Sequence, residues 1–542
     1  MSLPPLTLQM TMDQALRRVT ENRPAQEALI CGNLRLTYGQ LQERIDRTAD
    51  FLAHMGVGKG DRVALMLPPG ADYITLFFAI ARRGAVVVPI DPTVRPQRVL
   101  QIAEQIAPAR MVVAEPLPEA VASGLPEGIE VHLADEFHPE RMPVLSPVPP
   151  PEVAPGDLLA ILYTSGTTGA PKGAMHTHRS LIAPVVASMR LRELWMKRPT
   201  LAQLPKMGRA LARYRRRLLR AAGRPQIFLS TTGYHNTTGI EVFLQALLMG
   251  DTLVVQPFFH PVEALELIQR EKVTVLVAVP TALAVMLRVE NFDRYDLSSL
   301  LICGTGAAPC PPDLAREIQR RFGCALHIGF GATEIGGGIA ATDVGDSPDL
   351  QAETVGRPMP GMEVRIADEE GRPLPPGQVG ELWVRGENVM LGYWGASDLT
   401  EQVLDPEGWY HTGDMAVMDE RGYLRIVGRK KDMIIRGGRN IYPEEIERHL
   451  VAHPAIREAA VVGVPGRFGD EEVWAFVIPE EGHVLTSQEV REFCRGVLEP
   501  YQIPHVVRIV EDFPRASTGK PQKFRLRQMA LESGAGRQVS PL

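Results

Sequence analysis

Apolar and polar residues alternate along the first 150 positions in the two periods that are typical of helices and strands. Residues 38–55 place an apolar side chain every three or four positions, which predicts an amphipathic helix, at Leu41, Ile45, Ala49 and Leu52. Residues 60–67 and 85–90 are apolar runs on either side of another helical segment, and this order predicts a βαβ unit. The proline-dense stretch at 143–155 then predicts a surface connector.

The α/β rhythm resumes after residue 226. Residues 273–279 and 300–303 predict buried parallel strands, and each runs into a polar or glycine loop, where open α/β sheets bind ligands. Residues 361–392 change to short β segments divided by proline and glycine, which indicates a smaller β subdomain. After residue 428 the pattern predicts a separate α/β domain, with a helix at 442–453 and strands at 459–464 and 472–478.

Residues 190–224 depart from the rest in charge, with twelve lysines or arginines against one acid, Glu193. Two stripes repeat there at helical spacing and predict a basic amphipathic helix: an apolar one at Met207, Leu211, Tyr214 and Leu218, and a basic one at Arg209, Arg213, Arg216 and Arg220. The first interpretation is a solvated face over a small hydrophobic contact. The alternative is a weak peripheral contact with anionic lipid headgroups.

Composition indicates a globular chain of more than one domain. The 542 residues are 45% hydrophobic and 23% charged, which is ordinary for such proteins. The net charge of −6 gives no overall attraction to nucleic acid. Five cysteines without a C-x-x-C spacing favour free thiols in a reducing compartment. Because the sequence also lacks a secretory signal pattern and a long apolar run, we expect a cytoplasmic location.

The strongest chemical signal is the stretch at 163–173, which reads Tyr-Thr-Ser-Gly-Thr-Thr-Gly-Ala-Pro-Lys-Gly. Glycine lets the backbone approach a ligand closely. Hydroxyl groups and backbone N–H groups donate hydrogen bonds, and Lys172 adds a positive charge. This combination predicts a loop that wraps a polyphosphate, delivered by an apolar strand at 158–163. The spacing differs from that of a Walker A loop.

Five further motifs occur at predicted loops or strand ends, at 304–309, 329–334, 409–414, 428–429 and 514–520. The first is built from residues small enough to lie flat against a planar ring. The second carries a hydroxyl and a carboxylate, and the third places Asp414 behind a glycine turn, where it could bind a ribose diol. The last holds Lys520 on a flexible loop. In this order, the set resembles the adenylate-forming superfamily of acyl-CoA synthetases, luciferases and peptide-synthetase adenylation domains, over nearly the whole chain.

This resemblance implies an ATP-dependent enzyme and assigns roles to individual residues. The residues implied to bind the ATP phosphates are Thr164, Ser165, Gly166, Thr167, Thr168, Gly169 and Lys172. The residues implied to face adenine are Gly306, Ala307 and Ala308, and Gly329 is also implied to lie at the nucleotide. Thr333 is implied at the α-phosphate, and Glu334 as the Mg²⁺ ligand. Asp414 and Arg429 are implied to hold the ribose, and Lys520 to bridge the substrate carboxylate and the α-phosphate.

The resemblance also implies the domain organisation. The expected fold class is α/β: a large N-terminal domain, residues 1–428, of stacked and mostly parallel sheets with helices and a small β subdomain, then a mobile α+β C-terminal domain, residues 429–542. Lys431 falls at the family's hinge. After rotation about it, Gly437 and Gly438 would line the channel for the pantetheine arm of coenzyme A. A hinge needs a residue that can change its backbone dihedral angles.

The segment at 230–239 narrows the substrate class. Peptide-synthetase adenylation domains hold the substrate amino group with an aspartate there, whereas this chain has no acid before Glu241, which argues against an amino acid. Tyr234 and His235 resemble the aromatic–histidine pair of acyl-CoA synthetases; the alternative is a half-buried loop histidine. The implied pocket residues are Tyr234, Thr238, Gly239, Gly304, Phe330, Gly331 and Gly336.

Three glycines at 336–338 predict a deep pocket with one wall free of side chains, and no charged residue stands out to bind a second polar group. A medium- or long-chain fatty acid fits this best, and an aryl or other bulky hydrophobic acid is the alternative. The expected activity is an AMP-forming acyl-CoA synthetase that uses ATP, Mg²⁺ and coenzyme A. Transfer to a carrier protein or to oxygen, and a non-catalytic nucleotide-binding scaffold, are the rival interpretations.

Overall fold

The computed structural model describes residues 3–164, 171–196, 204–436, 439–466, 471–515 and 519–534. The chain divides into two compact units. Unit 1 comprises residues 1–363 and 384–410, and unit 2 comprises residues 364–383 and 411–542. The large α/β domain and the smaller C-terminal domain expected from the sequence are therefore present.

In the part of the chain that the structure describes, unit 1 contains two large sheets. The first has nine strands, with parallel strands in its centre and antiparallel strands at both edges. Their order across the sheet is β15 (Arg357–Pro358), β14 (Gly337–Ala341), β13 (Ala325–Ala332), β12 (Ile302–Thr305), β11 (Val275–Val277), β9 (Ile227–Ser230), β10 (Thr252–Val255), β1 (Glu27–Cys31) and β2 (Leu34–Thr37). This arrangement brings the predicted motifs after β12 and β13 to one edge, because adjacent parallel strands end together.

The second sheet of unit 1 has six strands and carries the 163–173 motif at its edge. The order is β6 (Glu130–Leu133), β5 (Arg110–Val113), β3 (Arg62–Met66), β4 (Val86–Pro89), β7 (Leu158–Thr164) and β8 (Lys172–Thr177). All neighbours are parallel except β7 and β8, which form an antiparallel pair. The βαβ unit predicted over residues 60–90 is confirmed by the parallel pair of β3 and β4.

Helices pack on these sheets along their apolar faces. Those of unit 1 are α1 (Met12–Asn22), α2 (Tyr38–His54), α3 (Ala71–Arg82), α4 (Pro96–Ile106), α5 (Glu119–Ala122), α6 (His178–Met196), α7 (Leu204–Ala221), α8 (Thr237–Leu248), α9 (Pro261–Glu271), α10 (Pro280–Leu287), α11 (Pro312–Phe322), α12 (Pro348–Glu353) and α13 (Ser397–Glu401). Helix α2 buries the four apolar residues that predicted it. It begins at a capping box, in which Thr37 and Gln40 exchange hydrogen bonds.

Among the described residues, unit 2 is built from three smaller sheets and three helices. The four-stranded sheet has the order β16 (Glu363–Ala367), β17 (Val379–Arg385), β18 (Tyr410–Met418) and β19 (Leu424–Arg429); β20 (Ile434–Arg436) pairs with β21 (Arg439–Ile441), and β22 (Ile456–Pro465), β23 (Glu471–Pro479) and β24 (Val506–Ile509) form the third sheet. The helices are α14 (Pro443–Val451), α15 (Ser487–Cys494) and α16 (Lys523–Gly534). The predicted helix at 442–453 and the two predicted strands of this region are confirmed.

Helix α7 confirms the predicted basic helix with its exposed arginine stripe, but one position of the apolar stripe is not buried. Tyr214 is buried as predicted, whereas Leu211 is 45% exposed. Tyr214 has non-helical dihedral angles, φ −119° and ψ 15°, and this kink changes the phase of the apolar stripe. The residue that docks the helix is Arg217, whose guanidinium donates to the backbone carbonyls of Leu297, Leu300 and Phe322.

Two of the four arginines predicted to face solvent also bind the protein. Arg209 donates to the carbonyl of Gly345 at 3.0 Å, and Arg220 donates to Oγ of Ser298 at 3.2 Å. These contacts favour packing on the body of unit 1 as the role of this face. Within the residues that the structure describes, no helix is long and apolar enough to span a bilayer.

Candidate functional site

The two ends of the predicted phosphate loop face each other across the β7–β8 pair. Thr164 ends β7, Lys172 begins β8, and the two are partners in the antiparallel register. Arg98 donates to the carbonyl of Thr164 at 2.7 Å, which fixes the point where the loop leaves the sheet. The predicted phosphate residues Ser165, Gly166, Thr167, Thr168 and Gly169 lie outside the described residues.

Glu334 and Lys172 approach the same tyrosine, which the sequence did not predict as a site residue. The hydroxyl of Tyr393 donates to Oε1 of Glu334 at 2.8 Å, and Nζ of Lys172 lies 5.4 Å from the centre of the Tyr393 ring. The backbone N–H of Met390 also donates to the Glu334 carbonyl. Through Tyr393, the structure brings the end of the phosphate loop and the predicted metal ligand into one cluster.

His176 fixes the backbone at Thr333 from the interior of unit 1. Its side chain is fully buried in strand β8, and Nε2 donates to the carbonyl of Thr333 at 2.7 Å. Nδ1 lies 3.2 Å from Oγ of Ser180. Burial lowers the pKa of His176 to about 4 because the protein desolvates the imidazolium. A neutral imidazole therefore positions the backbone between the predicted α-phosphate residue and the predicted metal ligand.

The residues predicted to face adenine lie where β12 leaves the sheet. A Cβ at Gly306 would come within 2.6 Å of the carbonyl oxygen of Gly329, so only glycine lets these two segments approach. Ala307 has φ 62°, in the left-handed region that is uncommon for residues other than glycine. Ala308 is partly exposed and Gly304 is buried within β12. This part of the sheet edge is thus free of large side chains.

His235 lies beside a carboxylate, that of Asp91, which the sequence did not predict as its partner. Its Nε2 lies 3.5 Å from Oδ2 of Asp91, whose side chain is 9% exposed. Thr93 donates to Oδ1 of Asp91 through its backbone N–H at 2.9 Å and through its hydroxyl at 2.7 Å. Burial lowers the pKa of His235, and the negative charge of Asp91 acts in the opposite direction.

Tyr234 lies in the aromatic core of unit 1. Its ring is 1% exposed, and its centre lies 5.3 Å from that of Tyr73 and 5.0 Å from that of Phe243. Its hydroxyl has no hydrogen-bond partner among the described residues. The side chain therefore packs under the His235 loop in this structure and does not line an open pocket.

Helix α8 begins at a close contact with that loop. A Cβ at Gly239 would lie 2.2 Å from the carbonyl oxygen of Gly233, which explains why glycine occupies the first turn of this helix. Asn236 caps the helix by accepting a hydrogen bond from the Gly239 N–H. Thr238, the other pocket residue predicted here, is partly accessible.

Two of the three glycines after Glu334 do not leave the open wall predicted from the sequence. Gly336 is buried, and a Cβ there would lie 3.1 Å from Nδ1 of His176. At Gly337 a Cβ would lie 2.9 Å from Cγ of Pro184 and 3.1 Å from Cδ of Glu241. The predicted wall is therefore closed at Gly336 and Gly337, where neighbouring side chains lie close, whereas Gly338 is partly accessible; the depth of the pocket stays a prediction. Phe330 and Gly331 lie on strand β13, where Phe330 is partly exposed and Gly331 is exposed.

Unit 2 brings together three predicted residues. Nε of Arg429 lies 2.7 Å from Oδ1 of Asp414, because the two are cross-strand partners in β18 and β19. Burial raises the pKa of Asp414, whereas the positive charges of Arg429 and Lys520 lower it. Lys520 lies at the surface of unit 2; desolvation of its ammonium by neighbouring residues and the charge of Arg429 lower its pKa, and the charge of Asp414 raises it. Lys520 is thus electrostatically coupled to the pair.

The remaining predictions concern the segment after β19. Lys431 lies in a short 3-10 turn, Lys430–Asp432. Its role as a hinge, and a moving domain that begins at residue 429, stay predictions. Gly437 and Gly438 lie outside the described residues. Sequence reasoning missed four residues, because each acts through a partner that is distant in the chain. They are Tyr393, Asp91, His176 and Glu241.

Comparison with known proteins identifies the family of this chain. The AMP-binding enzyme family matches residues 16–394, and the AMP-binding enzyme C-terminal domain matches residues 445–520. The mitochondrial medium-chain acyl-CoA ligase ACSF2 of Homo sapiens is 31% identical, with 96% of this chain and 87% of that protein covered. A feruloyl-CoA synthase of Amycolatopsis sp is 33% identical, with 93% and 96% covered.

Solved structures show the same fold. The anthranilate CoA ligase AuaEII in complex with anthranoyl-AMP has a TM-score of 0.83 at 25% identity, with 98% of this chain and 99% of that chain covered. ATP-bound MatB from Rhodopseudomonas palustris has a TM-score of 0.82 at 27% identity, with 96% and 99% covered. The chain therefore belongs to the AMP-binding enzyme family and is an AMP-forming acid–thiol ligase.

Proposed function

We propose that this enzyme joins a hydrophobic carboxylic acid to coenzyme A in two half-reactions. In the first, a carboxylate oxygen attacks the α-phosphorus of ATP, the bond to the β-phosphate breaks, and acyl-AMP and pyrophosphate form. In the second, the sulfur of coenzyme A attacks the acyl carbon, the thiol proton is lost, and AMP leaves. Activation is needed because a free carboxylate lacks a leaving group that a thiol could displace.

The observation that carries the proposal is the Asp414–Arg429 pair, together with a charge on Lys520 that is close enough to act on Asp414. A buried carboxylate held by a guanidinium suits the two hydroxyl groups of a ribose. A lysine coupled to that pair would reach the phosphate next to the ribose, where two anions must be brought together. One preorganised cation at this point lowers the barrier by stabilising the charge that develops between them.

The cluster around Tyr393 supports phosphate and metal binding. Lys172 supplies a positive charge, and Thr164 opens the loop proposed to surround the β- and γ-phosphates. Within the described part of the chain, no group of three or more His, Cys, Asp or Glu side chains could hold a metal ion by itself. A single oriented carboxylate, Glu334, still fits Mg²⁺, which is commonly bound by one or two carboxylates and substrate phosphates. The ion would neutralise charge on the phosphates.

The substrate class follows from the neighbourhood of α8. The side of the pocket nearest the reacting carboxylate would be formed by His235, Thr238 and Gly239. A medium- or long-chain fatty acid and an aryl acid both suit it, and the relatives named medium-chain acyl-CoA ligase and feruloyl-CoA synthase support these two classes. Lys520 would serve the first half-reaction, and rotation about Lys431 would bring Gly437 and Gly438 to the thiol path for the second.

A panel of carboxylic acids tests the proposal. Pyrophosphate release and thioester formation are measured for fatty acids of increasing length and for aryl acids, each with and without coenzyme A. We expect AMP, pyrophosphate and an acyl-CoA in equal amounts with the preferred acid, and none with Lys520→Ala over the same time. Release of ADP instead of AMP would contradict the proposal. If a thioester forms only on a carrier protein, that protein and not coenzyme A is the acyl acceptor.

A further inference from the structure

One face of helix α8 is accessible although the rest of the helix is buried. Thr238, Glu241 and Gln245 are partly accessible, and the positions between them are buried. Their spacing of three and four residues puts them on one side of the helix. Glu241 meets strand β14 at Gly337, and Gln245 meets helix α6 at Ser188. The accessible face therefore lies beside α6 and β14, on the side of Gly338, which is also partly accessible.

Glu241 is anchored at this position by the protein itself. Nε2 of Gln245 donates to Oε1 of Glu241 at 2.9 Å and to Oγ of Ser188 at 3.1 Å. The backbone N–H of Gly338 also donates to the Glu241 carboxyl group. A Cβ at Gly337 would lie 3.1 Å from Oε2 of Glu241, so the glycine lets the carboxyl group lie against the strand. These contacts fix one rotamer for a side chain that is otherwise flexible.

The groups that remain available in this cluster are mainly acceptors. Both N–H groups of the Gln245 amide are used, which leaves its Oε1 to accept. Oε2 of Glu241 retains acceptor capacity whether or not the carboxyl group is ionised. Burial raises the pKa of Glu241 to about 7, against the lowering effect of its hydrogen bonds from Gly338 and Gln245. An acceptor-rich patch of this kind is complementary to a hydrogen-bond donor.

We propose that Glu241 determines specificity by accepting a hydrogen bond from a hydroxyl or amino group on the hydrophobic body of the acid substrate. This inference rests on the proposed function, since it takes the space beside α8 as the acyl pocket. It narrows the substrate to hydrophobic acids that carry such a donor at a distance from the reacting carboxylate. Each residue advances a helix by ~1.5 Å, so Glu241 and Gln245 lie roughly 5–10 Å beyond Thr238 along the pocket.

An unsubstituted alkyl or aryl acid would bind less well for a physical reason. Its tail would displace water from the Glu241 carboxyl group without replacing the hydrogen bond, and an unpaired buried polar group is costly. Sites built to bond a substrate hydroxyl can reject the analogue without it by factors up to about 10⁴. We expect at least about a tenfold preference here.

Matched pairs of acids test this inference. The pairs are para-hydroxycinnamate with cinnamate, para-aminocinnamate with cinnamate, and omega-hydroxyoctanoate with octanoate. The ratio of kcat/KM for acyl-CoA formation within each pair is measured for the wild type, Glu241→Leu and the near-isosteric Glu241→Gln. Glu266→Gln, at an exposed position of helix α9, is the matched control. Thermal unfolding confirms that each variant is folded.

We expect the wild type to prefer the donor-bearing member of at least one pair by tenfold or more, and Glu241→Leu to reduce that ratio to near one or invert it. The ratio for Glu241→Gln, which keeps a carbonyl acceptor, should lie between those of the wild type and Glu241→Leu. If the leucine variant is unfolded, the ratio for Glu241→Gln tests the inference in its place. A wild type that makes thioesters without this preference, or a ratio that no Glu241 variant changes, overturns the inference alone. A wild type that makes no thioester from any acid overturns the proposed function instead.

Discussion

The imidazole Nε2 of His235 lies 3.5 Å from Oδ2 of Asp91. Asp91 follows strand β4 of the six-stranded sheet, and His235 precedes helix α8 beside the nine-stranded sheet. This contact thus links the two large sheets of unit 1 at the loop that precedes α8. Because Thr93 holds the other carboxylate oxygen, Asp91 is an oriented partner and can fix the position of the ring.

Replacing Asp91 by asparagine should alter the first half-reaction through His235. The negative charge of Asp91 raises the pKa of His235, so its removal lowers that pKa. We expect pyrophosphate release to slow several-fold. The acidic limb of its pH–rate profile should move to lower pH. The measurement is the pH profile of single-turnover adenylate formation. If His235→Ala retains the same acidic limb as the wild type, the limb does not report His235 and this assignment is wrong.

Lys520→Ala should separate the two half-reactions. Loss of one preorganised donor at a developing charge costs roughly 3 kcal/mol, or about 10²–10³ in rate. We expect acyl-adenylate formation to fall by that factor, whereas a supplied acyl-adenylate and coenzyme A still give thioester. Gly438→Leu, at a position assigned from the sequence to the thiol path, should show the opposite pattern. Equal loss of one half-reaction in both variants would contradict a two-conformation C-terminal domain.

Tyr393→Phe should weaken the use of Mg²⁺. The hydroxyl of Tyr393 donates to Glu334 at 2.8 Å, and partners that orient a metal ligand commonly change metal affinity by about 10–100-fold. We expect the Mg²⁺ concentration for half-maximal activity to rise by about tenfold, with maximal turnover nearly retained. A Mg²⁺ titration of pyrophosphate release measures this. Glu334→Gln should show a larger effect, and an unchanged titration in both variants would remove Glu334 from the proposed metal site.

Arg217 and the outer arginines of α7 should behave differently. Arg217 donates to three backbone carbonyls, and losing hydrogen bonds from a charged donor costs ~1.5–3 kcal/mol or more. Arg217→Ala should therefore lower the free energy of unfolding by about that amount. The double variant Arg213→Glu and Arg216→Glu, at exposed positions, should change neither stability nor turnover of a short, water-soluble acid by more than a few-fold. Collapse of turnover in that folded variant would give this face a catalytic role.

Most of the fold could be predicted because local patterns agree with it. The apolar periodicity of α2 and the apolar runs of β3 and β4 depend only on neighbouring residues and burial. The error in α7 arose where a tertiary contact overrode this periodicity. Its exposed Leu211 and docked Arg217 follow from the kink at Tyr214 and from carbonyls that lie far away in the sequence.

The candidate site could be predicted only where a motif carries its own chemistry. Asp414 and Arg429 were identified because their motifs are local, and the sheet then pairs them. The partner of Glu334 could not be identified in the same way, because Tyr393 is joined to it by the fold alone. Glu241 was noted in the sequence only as the first acid after the 230–239 segment. The role of Glu241 depends on contacts with Gly337, Gln245 and Ser188, which belong to three different elements.

Acid should destabilise unit 1 through its buried histidines. The pKa of His176 is about 4, lowered from 6.5 by burial, and the pKa of His178 is also about 4. Between pH 6.5 and 4 the unfolded chain binds these protons and the folded chain does not, so stability is complete above pH 6.5 and falls as the pH decreases. His176 alone should contribute on the order of 3 kcal/mol over this window.

Chemical denaturation at a series of pH values measures this effect. His176→Gln, which removes the titration, should flatten the pH dependence of the unfolding free energy in that window. His483→Gln, at an exposed position, is the control and should leave the curve unchanged. A wild-type stability that is constant from pH 6.5 to 4 would contradict a neutral, buried His176.

The most direct test of the central claim follows an oxygen atom. The preferred acid is labelled with heavy oxygen in its carboxylate, converted with ATP and coenzyme A, and the products are weighed by mass spectrometry. If the carboxylate attacks the α-phosphorus, the bridging oxygen leaves with the nucleotide. We therefore predict AMP that carries one heavy oxygen and pyrophosphate that carries none. Heavy oxygen in pyrophosphate or inorganic phosphate, or unlabelled AMP formed together with acyl-CoA, would contradict the acyl-adenylate route.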